Sequence, residues 1–300
     1  MAPVIITMVR HGESKDNLTA LWAGHRDASL SNHGFTQAQR LGQAFADVPI
    51  TAIYASDLKR AYTTARCIHD ANRSTPKPPF TLSPLLREQF FGEAEGAPVL
   101  SRTVGTGADS LRVFAVAHSI APNAESLNDV ARRADLVLRH FVLPHVLATA
   151  QVPPDASFPD QHHIVLVAHG IWLSEMLFAL KRAGDPHIRF VKSSGYTNTG
   201  WCRIELELDD PDAAHALPSE STSPKDEAAP SAPPAAPASS IPEPADARPA
   251  TDPERIGVLA FNQVAHLEGL KRTGGGVGSA EHDDKQRGLK EFFGGQAAGK

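Results

Sequence analysis

Apolar residues along the chain fall into two kinds of stretch. Val4-Ile5-Ile6-Thr7-Met8-Val9 is an almost unbroken apolar, largely β-branched run, and His163-Ile164-Val165-Leu166-Val167-Ala168 is a second. Runs of that length predict strands buried on both faces, at the centre of a mainly parallel sheet. Shorter strands are predicted at 51–55 and 80–82, and 202–208 alternates like a sheet-edge strand. Between the strands, apolar residues recur at helical spacing. Ala38, Leu41 and Phe45 follow a cap at Ser31, and Leu173, Met176, Leu177 and Leu180 form another face. Leu127, Val130, Ala134, Val137, Leu138 and Phe141 predict one long amphipathic helix over 125–147. Ser56 or Asp57 is expected to cap a further helix, which puts Arg60 in its first turn, at the end that attracts anions. The alternation of strand and helix predicts an α/β fold, a three-layer α/β/α sandwich with a mostly parallel central sheet.

The periodicity stops near residue 210. Of the 44 residues in 211–254, eleven are Pro and twelve are Ala. Such a segment buries too little apolar surface to offset its chain entropy, so it is expected to be a disordered linker. The chain therefore divides into a catalytic domain at 1–210, the linker at 211–254 and a C-terminal tail at 255–300. In the tail, Ile256, Leu259, Ala260, Val264 and Leu267 have helix-like spacing over 255–270. The formal charge of −5 argues against general nucleic-acid affinity. Cys67 and Cys202 stand alone, without the spacing of a zinc site, which fits a reducing compartment. No stretch reaches transmembrane length, and the N-terminus lacks the basic start of a secretion signal. A soluble, cytoplasmic protein is expected.

Chemistry gathers at the carboxyl ends of the two central strands. The first delivers Arg10-His11-Gly12-Glu13-Ser14 and the second His169-Gly170. In open α/β sheets, ligands bind just beyond these ends, so the two histidines can share a crevice. Arg10 from the first loop and Arg60 from a helix N-terminus reach the same place. Two imidazoles and two guanidiniums describe an anion site, and phosphate fits it best. Glu88, flanked by Leu85, Leu86, Phe90 and Phe91, is the candidate acid, since burial beside apolar groups favours a protonated carboxyl.

Several further fragments accompany these residues in order: Leu30-Ser31…Gly34…Gln37-Ala38, Ser56-Asp57-Leu58…Arg60-Ala61…Thr64-Ala65, Leu86-Arg87-Glu88…Phe91-Gly92…Glu95-Gly96, Glu125-Ser126…Asp129-Val130…Arg133 and Val167-Ala168-His169-Gly170. As a set, from Pro3 to about Leu208, they resemble the histidine phosphatase superfamily, the phosphoglycerate-mutase-like proteins. The resemblance implies that His11 attacks phosphorus while Arg10, Arg60 and His169 hold the phosphoryl oxygens. It implies that Asn17 adds a phosphate contact, that Gly24 lines the substrate pocket and that Glu88 protonates the leaving alcohol. It implies no metal and no cofactor. Glu125 and Arg133 match a supporting motif, with a purely structural role equally open. His25, His69, His162 and His163 are expected to serve packing, His25 least firmly because its loop flanks the pocket, and the Glu93–Glu95 pair to serve loop solvation.

The glycolytic mutases of the family carry an aromatic-rich stretch after the acid that is missing here. Arg87-Glu88-Gln89-Phe90-Phe91-Gly92 looks instead like the broad-specificity and fructose-2,6-bisphosphatase-like branch. Phosphomonoester hydrolysis of a small phosphorylated metabolite is the expectation, with a mutase as the alternative and an inactive scaffold third. The insertion at 97–123, expected to be partly helical over the site between 105 and 122, leaves the substrate open. Near the C-terminus, Gln286, Leu289, Phe292 and Phe293 resemble the sliding-clamp-binding box. That resemblance implies a clamp partner and partial nuclear localisation; packing of the tail on the domain is the competing expectation, and no role for the motif is the third.

Overall fold

The computed structural model describes residues 3–99, 121–150, 162–183, 195–207, 255–272 and 276–283. In chain order its main elements are β1 (Val4–Arg10), α1 (Lys15–Leu18), α2 (Asn32–Ala44), β2 (Ala52–Ala55), α3 (Lys59–Ala71), β3 (Phe80–Leu82) and α4 (Leu127–Val137). Then come α5 (Leu143–Ala150), β4 (His163–Ala168), α6 (Gly170–Ala183), β5 (Trp201–Glu207) and β6 (Arg255–Gln263). The strands form one six-stranded sheet in the order β3-β2-β4-β1-β5-β6. β1 and β4 are parallel neighbours at its centre, with Arg10 opposite Ala168. β2 and β3 continue in the parallel sense, while β5 runs antiparallel to β1.

Successive residues of the central strands feed two separate cores. Ile164, Leu166 and Ala168 join Ile6 and Met8 against α4 and α6, through Val130, Ala134, Trp172, Leu173 and Met176. Val165 and Val167 join Val9 and Ile53 against α2 and α3, through Leu41, Phe45, Ala61, Ala65 and Ile68. The period of two along a strand thus explains why β1 and β4 must be apolar at nearly every position. It also gives the three-layer α/β/α sandwich.

Four local expectations are corrected. The stretch 255–270 is not a helix: β6 pairs antiparallel with β5, Leu206 opposite Ile256 and Ile204 opposite Val258, before a short 3-10 turn at Ala265–Leu267. The β-branched Ile256 and Val258 favour a strand, and pairing satisfies backbone groups that β5 would otherwise leave open. In consequence β5 is an interior strand and not an edge. The helix predicted over 125–147 begins at the Ser126 capping box with Asp129 and is broken by a π-turn at Leu138–Val142. Pro144 accounts for the break, because it offers no N–H to the carbonyl four residues earlier and its ring crowds that group. Finally, α3 starts one residue after Leu58 and receives its side-chain cap from a distant loop, Asp27 Oδ1 accepting from Lys59 N at 2.7 Å. Asp57 cannot serve there because it holds Arg87 in a two-pronged ion pair.

The expected linker at 211–254, the clamp-like box at Gln286, Leu289, Phe292 and Phe293, and all but the ends of the insertion lie outside the described residues. The part of the tail that is described packs on the domain. No described helix is long and apolar enough to cross a membrane.

His163, at the start of β4, is only 6% exposed. Its ring donates to the Pro49 carbonyl, so in the neutral ring the other nitrogen, Nε2, 2.7 Å from Thr7 Oγ1, is an acceptor. Burial, reinforced by Arg203 and opposed by the Pro49 carbonyl, lowers its pKa to about 4. The unfolded chain takes up this proton near 6.5. Below that pH the unfolded state binds more protons, so stability falls as the pH drops towards about 4, by roughly 3 kcal/mol for this one residue. Urea midpoints at pH 7 and pH 4.5 should differ less for His163→Gln than for the natural protein.

Candidate active site

The loop after β1 is shaped by close backbone approach. A Cβ on Gly12 would lie 2.6 Å from the Gly34 carbonyl oxygen, so only glycine fits. Gly12 N donates to Thr64 Oγ1, Glu13 N to Gln37 Oε1, and Ser31 Oγ to Glu13 Oε1. The polar residues of the short sequence fragments are therefore the fasteners of this loop. His11 N continues the β1–β4 ladder by donating to Ala168 O at 3.0 Å, which brings the two His-Gly pairs side by side. The rings of His11 and His169 are 5.0 Å apart.

Their hydrogen bonds set opposite tautomers. His11 Nδ1 lies 2.7 Å from Gly12 O; a carbonyl only accepts, so Nδ1 carries the proton and Nε2 the lone pair. His169 Nδ1 lies 3.2 Å from Arg60 Nε; a guanidinium only donates, so Nδ1 is the acceptor and Nε2 carries the proton. Both rings are held neutral. Burial depresses each well below 6.5, and Arg60 is the next largest cause for both. One ring therefore offers a nucleophile and the other a hydrogen-bond donor.

Arg60, 1% exposed, is held at each of its three nitrogens: Nε on His169, Nη1 on Arg26 O at 2.6 Å and Nη2 on Gly24 O at 2.7 Å. Arg10 donates through Nη1 to Tyr196 O. Its Nε and the Nε2 of His169 are buried without a hydrogen-bond partner among the described residues. Buried donors are costly unless a partner satisfies them. Burial lowers the pKa of both arginines, and the charge of Glu88 partly restores it.

Glu88 is brought to this place, but not by an apolar pocket. Its carboxylate lies at the N-terminus of α6, accepting from Ile171 N and Trp172 N as well as from Gln89 N. A helix N-terminus presents unpaired N–H groups, which is why an acidic side chain settles there. Around Gly170, Glu88 Oε2 and Arg10 Nε are both within about 4 Å of where a Cβ would stand, so acid and guanidinium share one wall. Asn17 lies in α1, where its Oδ1 accepts from Ser14 N and Asn198 Nδ2. With the oxygen so engaged, its amide nitrogen is the end that can meet an anion. Gly24 has φ +48°, and a Cβ there would collide with Glu95 and Phe91. All seven residues expected at the site are thus on one rim of the sheet.

The supporting frame contains residues that sequence reasoning weighed lightly. Arg133 donates to the carbonyls of Leu85, Arg87 and Glu88 and is paired with Glu125, which in turn accepts from Phe90 N. This clamp fixes the backbone that carries Glu88. Glu95 is not merely solvated: Oε1 accepts from His25 N at 2.6 Å and from Phe91 N. His25 Nε2 lies 2.9 Å from Glu88 O, and its ring packs on Phe90. Tyr196, Asn198 and Thr199, which hold the back of Arg10 and His11, gave no signal because ordinary loop residues carry none. Among the described residues, no three His, Cys, Asp or Glu side chains are grouped as a metal site.

A pair of neutral histidines of opposite tautomer, two buried guanidiniums and a carboxylate meet at the carboxyl ends of adjoining parallel strands, a set of groups whose chemistry suits a phosphate. The chain belongs to the histidine phosphatase superfamily (branch 1), whose sequence pattern it matches over residues 6–216. It is 30% identical over 192 residues to the fructose-2,6-bisphosphatase TIGAR B of Danio rerio, covering 58% of this chain and 73% of that one. It is 27% identical over 186 residues to a 2,3-bisphosphoglycerate-dependent phosphoglycerate mutase of Bartonella bacilliformis, covering 61% and 90%. The structure of a mycobacterial glucosyl-3-phosphoglycerate phosphatase superposes with a TM-score of 0.52 at 24% identity, covering 69% of this chain and 92% of that one. This last likeness concerns the fold.

Proposed function

We propose that the protein hydrolyses small phosphomonoesters through a phosphohistidine on His11. The observation that carries this reading is the pair of buried donors, Arg10 Nε and His169 Nε2, lacking partners among the described residues beside a neutral imidazole with a free Nε2 lone pair. In the first step, with Glu88 in its carboxylic-acid form, Nε2 of His11 attacks phosphorus and the ester oxygen leaves, taking that proton from Glu88. In the second, water attacks the phosphohistidine, Glu88 takes back a proton, and the P–N bond breaks to release phosphate. Arg10, Arg60 and His169 stabilise the charge on the transferring oxygens, and Asn17 adds a donor. Each such donor is commonly worth about 3 kcal/mol of barrier. Gly24 lines the substrate's entry.

The stretch Arg87–Gly96 and the fructose-2,6-bisphosphatase among the relatives support a sugar bisphosphate or a broad range of phosphorylated metabolites as substrate. The mutase relative favours a second reading, in which the phosphoryl group passes from His11 back to a second hydroxyl. A panel of phosphorylated metabolites separates the two. Hydrolysis predicts phosphate released in step with alcohol and unaffected by chelator, whereas interconversion of phosphoglycerates without phosphate release would establish the mutase. No turnover of any phosphomonoester would overturn both.

Glu88→Gln should slow alkyl phosphates about a thousandfold, within the range for a general acid, and aryl phosphates far less because their leaving groups need little protonation. Comparing kcat for phenyl and p-nitrophenyl phosphate with an alkyl ester measures this; an equal loss across the series would remove Glu88 from the acid role.

A further inference from the structure

We propose that His266, in the C-terminal segment beyond β6, is a positioning residue for the nucleophile, acting through Thr199 on the backbone of Arg10 and His11. This inference rests on the reading of His11 as nucleophile and extends it to a part of the chain beyond the matched family region.

Thr199 is fully buried and has φ +58°. The left-handed region is unfavourable for a β-branched residue, and such a conformation persists only where the surroundings fix it. The reason for holding it is visible in its contacts. Thr199 N is shared between the carbonyls of Arg10 at 3.1 Å and His11 at 3.2 Å. The neighbouring Asn198 Nδ2 reaches the same His11 carbonyl and Asn17 Oδ1. The loop 195–200 is therefore the back support of the catalytic strand end.

His266 holds this support in place. Thr199 Oγ1 donates to Asn198 O at 2.7 Å, so it can only accept from His266 Nε2, at 2.9 Å. Burial, aided by Arg40, depresses the pKa of His266 to about 4, so at neutral pH the ring is the neutral donor this bond needs. The rest of the tail anchors His266 on both sides. Asn262 Oδ1 accepts from Thr197 N, and Arg40 Nη1 donates to Glu268 O. Further on, Arg272 pairs with Glu13, Lys15 Nζ donates to Ser279 O, and the ring of His282 stacks on Phe35. Every one of these contacts falls on the loop after β1, on the first residue of α1, on α2 or on the 195–200 loop. The tail thus grips the segments that flank and back His11.

The test uses the full chain with p-nitrophenyl phosphate, and traps the phosphoenzyme by rapid quench with mapping to His11. His266→Ala is expected to slow phosphoenzyme formation and kcat about a hundredfold, the scale of a misplaced reacting group, with KM changed less than about twofold. His266→Gln keeps a donor of similar reach and should recover most of the rate, while His266→Phe, which keeps ring volume without the donor, should not. Adding Thr199→Gly to His266→Ala should also recover rate, since glycine adopts positive φ without a tie. Formation of phosphoenzyme by His266→Ala at the natural rate would overturn the inference and leave the phosphohistidine reading intact. Equal impairment of His266→Gln and His266→Phe would overturn it too, as a packing role only. Absence of any phosphoenzyme in the natural protein would overturn the proposed mechanism, and this inference with it.

Discussion

His11→Ala is expected to abolish phosphate release without unfolding the protein. Among the described residues the ring makes one hydrogen bond, to its neighbouring carbonyl, and it stands at the end of β1, outside the two apolar cores. Losing one hydrogen bond costs about 1 kcal/mol of stability. Losing a positioned nucleophile raises the barrier by more than about 4 kcal/mol, a thousandfold or greater loss of rate. Activity and stability therefore separate cleanly. Steady-state phosphate release and a thermal melt, measured on the same preparation, read both, and full activity in the variant would end the phosphohistidine mechanism.

Arg60→Met should be nearly as damaging to the reaction, and for a different balance of reasons. The guanidinium is buried and sets the tautomer of His169 while bonding to Arg26 O and Gly24 O. An apolar replacement of similar volume strands those acceptors at about 1–3 kcal/mol each, but it also removes the cost of burying a cation. The two contributions oppose each other, so the melting temperature should move by only a few degrees. Catalysis has no such compensation. It loses a charge on the phosphoryl oxygens and frees His169 to swap tautomer and present a lone pair in place of a donor. A loss of about 3–4 kcal/mol in kcat/KM is expected from steady-state kinetics. A loss below tenfold would show that Arg60 serves structure alone.

The centre of the fold was legible because its constraint is severe. β1 and β4 are covered on both faces, and only continuous apolar runs meet that condition, so both strands and the residues at their ends could be read directly. Arg10, His11 and His169 followed from that placement, and Arg60 from its place in the first turn of α3. Glu88 was legible as a residue but not in its setting. Its carboxylate is held by the N-terminus of α6, a contact across eighty residues of chain that no local pattern records. β6 was misread because Ile256, Leu259, Ala260, Val264 and Leu267 fit a helical period, while the unpaired rim of β5 that recruits it is a property of the sheet. Thr199 and His266 were invisible for the same reason. Their importance lies in a backbone angle and one long-range hydrogen bond, and neither leaves a mark in residue type.

The pairing of β6 with β5 also bears on how the chain is made. Glu207 and Arg255, which pair in the sheet, are far apart in sequence, and β5 leaves the ribosome well before its neighbour. Until then β5 is a bare template of N–H and C=O groups beside a folded centre, the kind of rim that recruits strands from other molecules. Closing so long an interval costs little more entropy than closing a short one, so the delay is kinetic rather than thermodynamic. A chain cut short in that interval would keep most of its site and yet tend to aggregate.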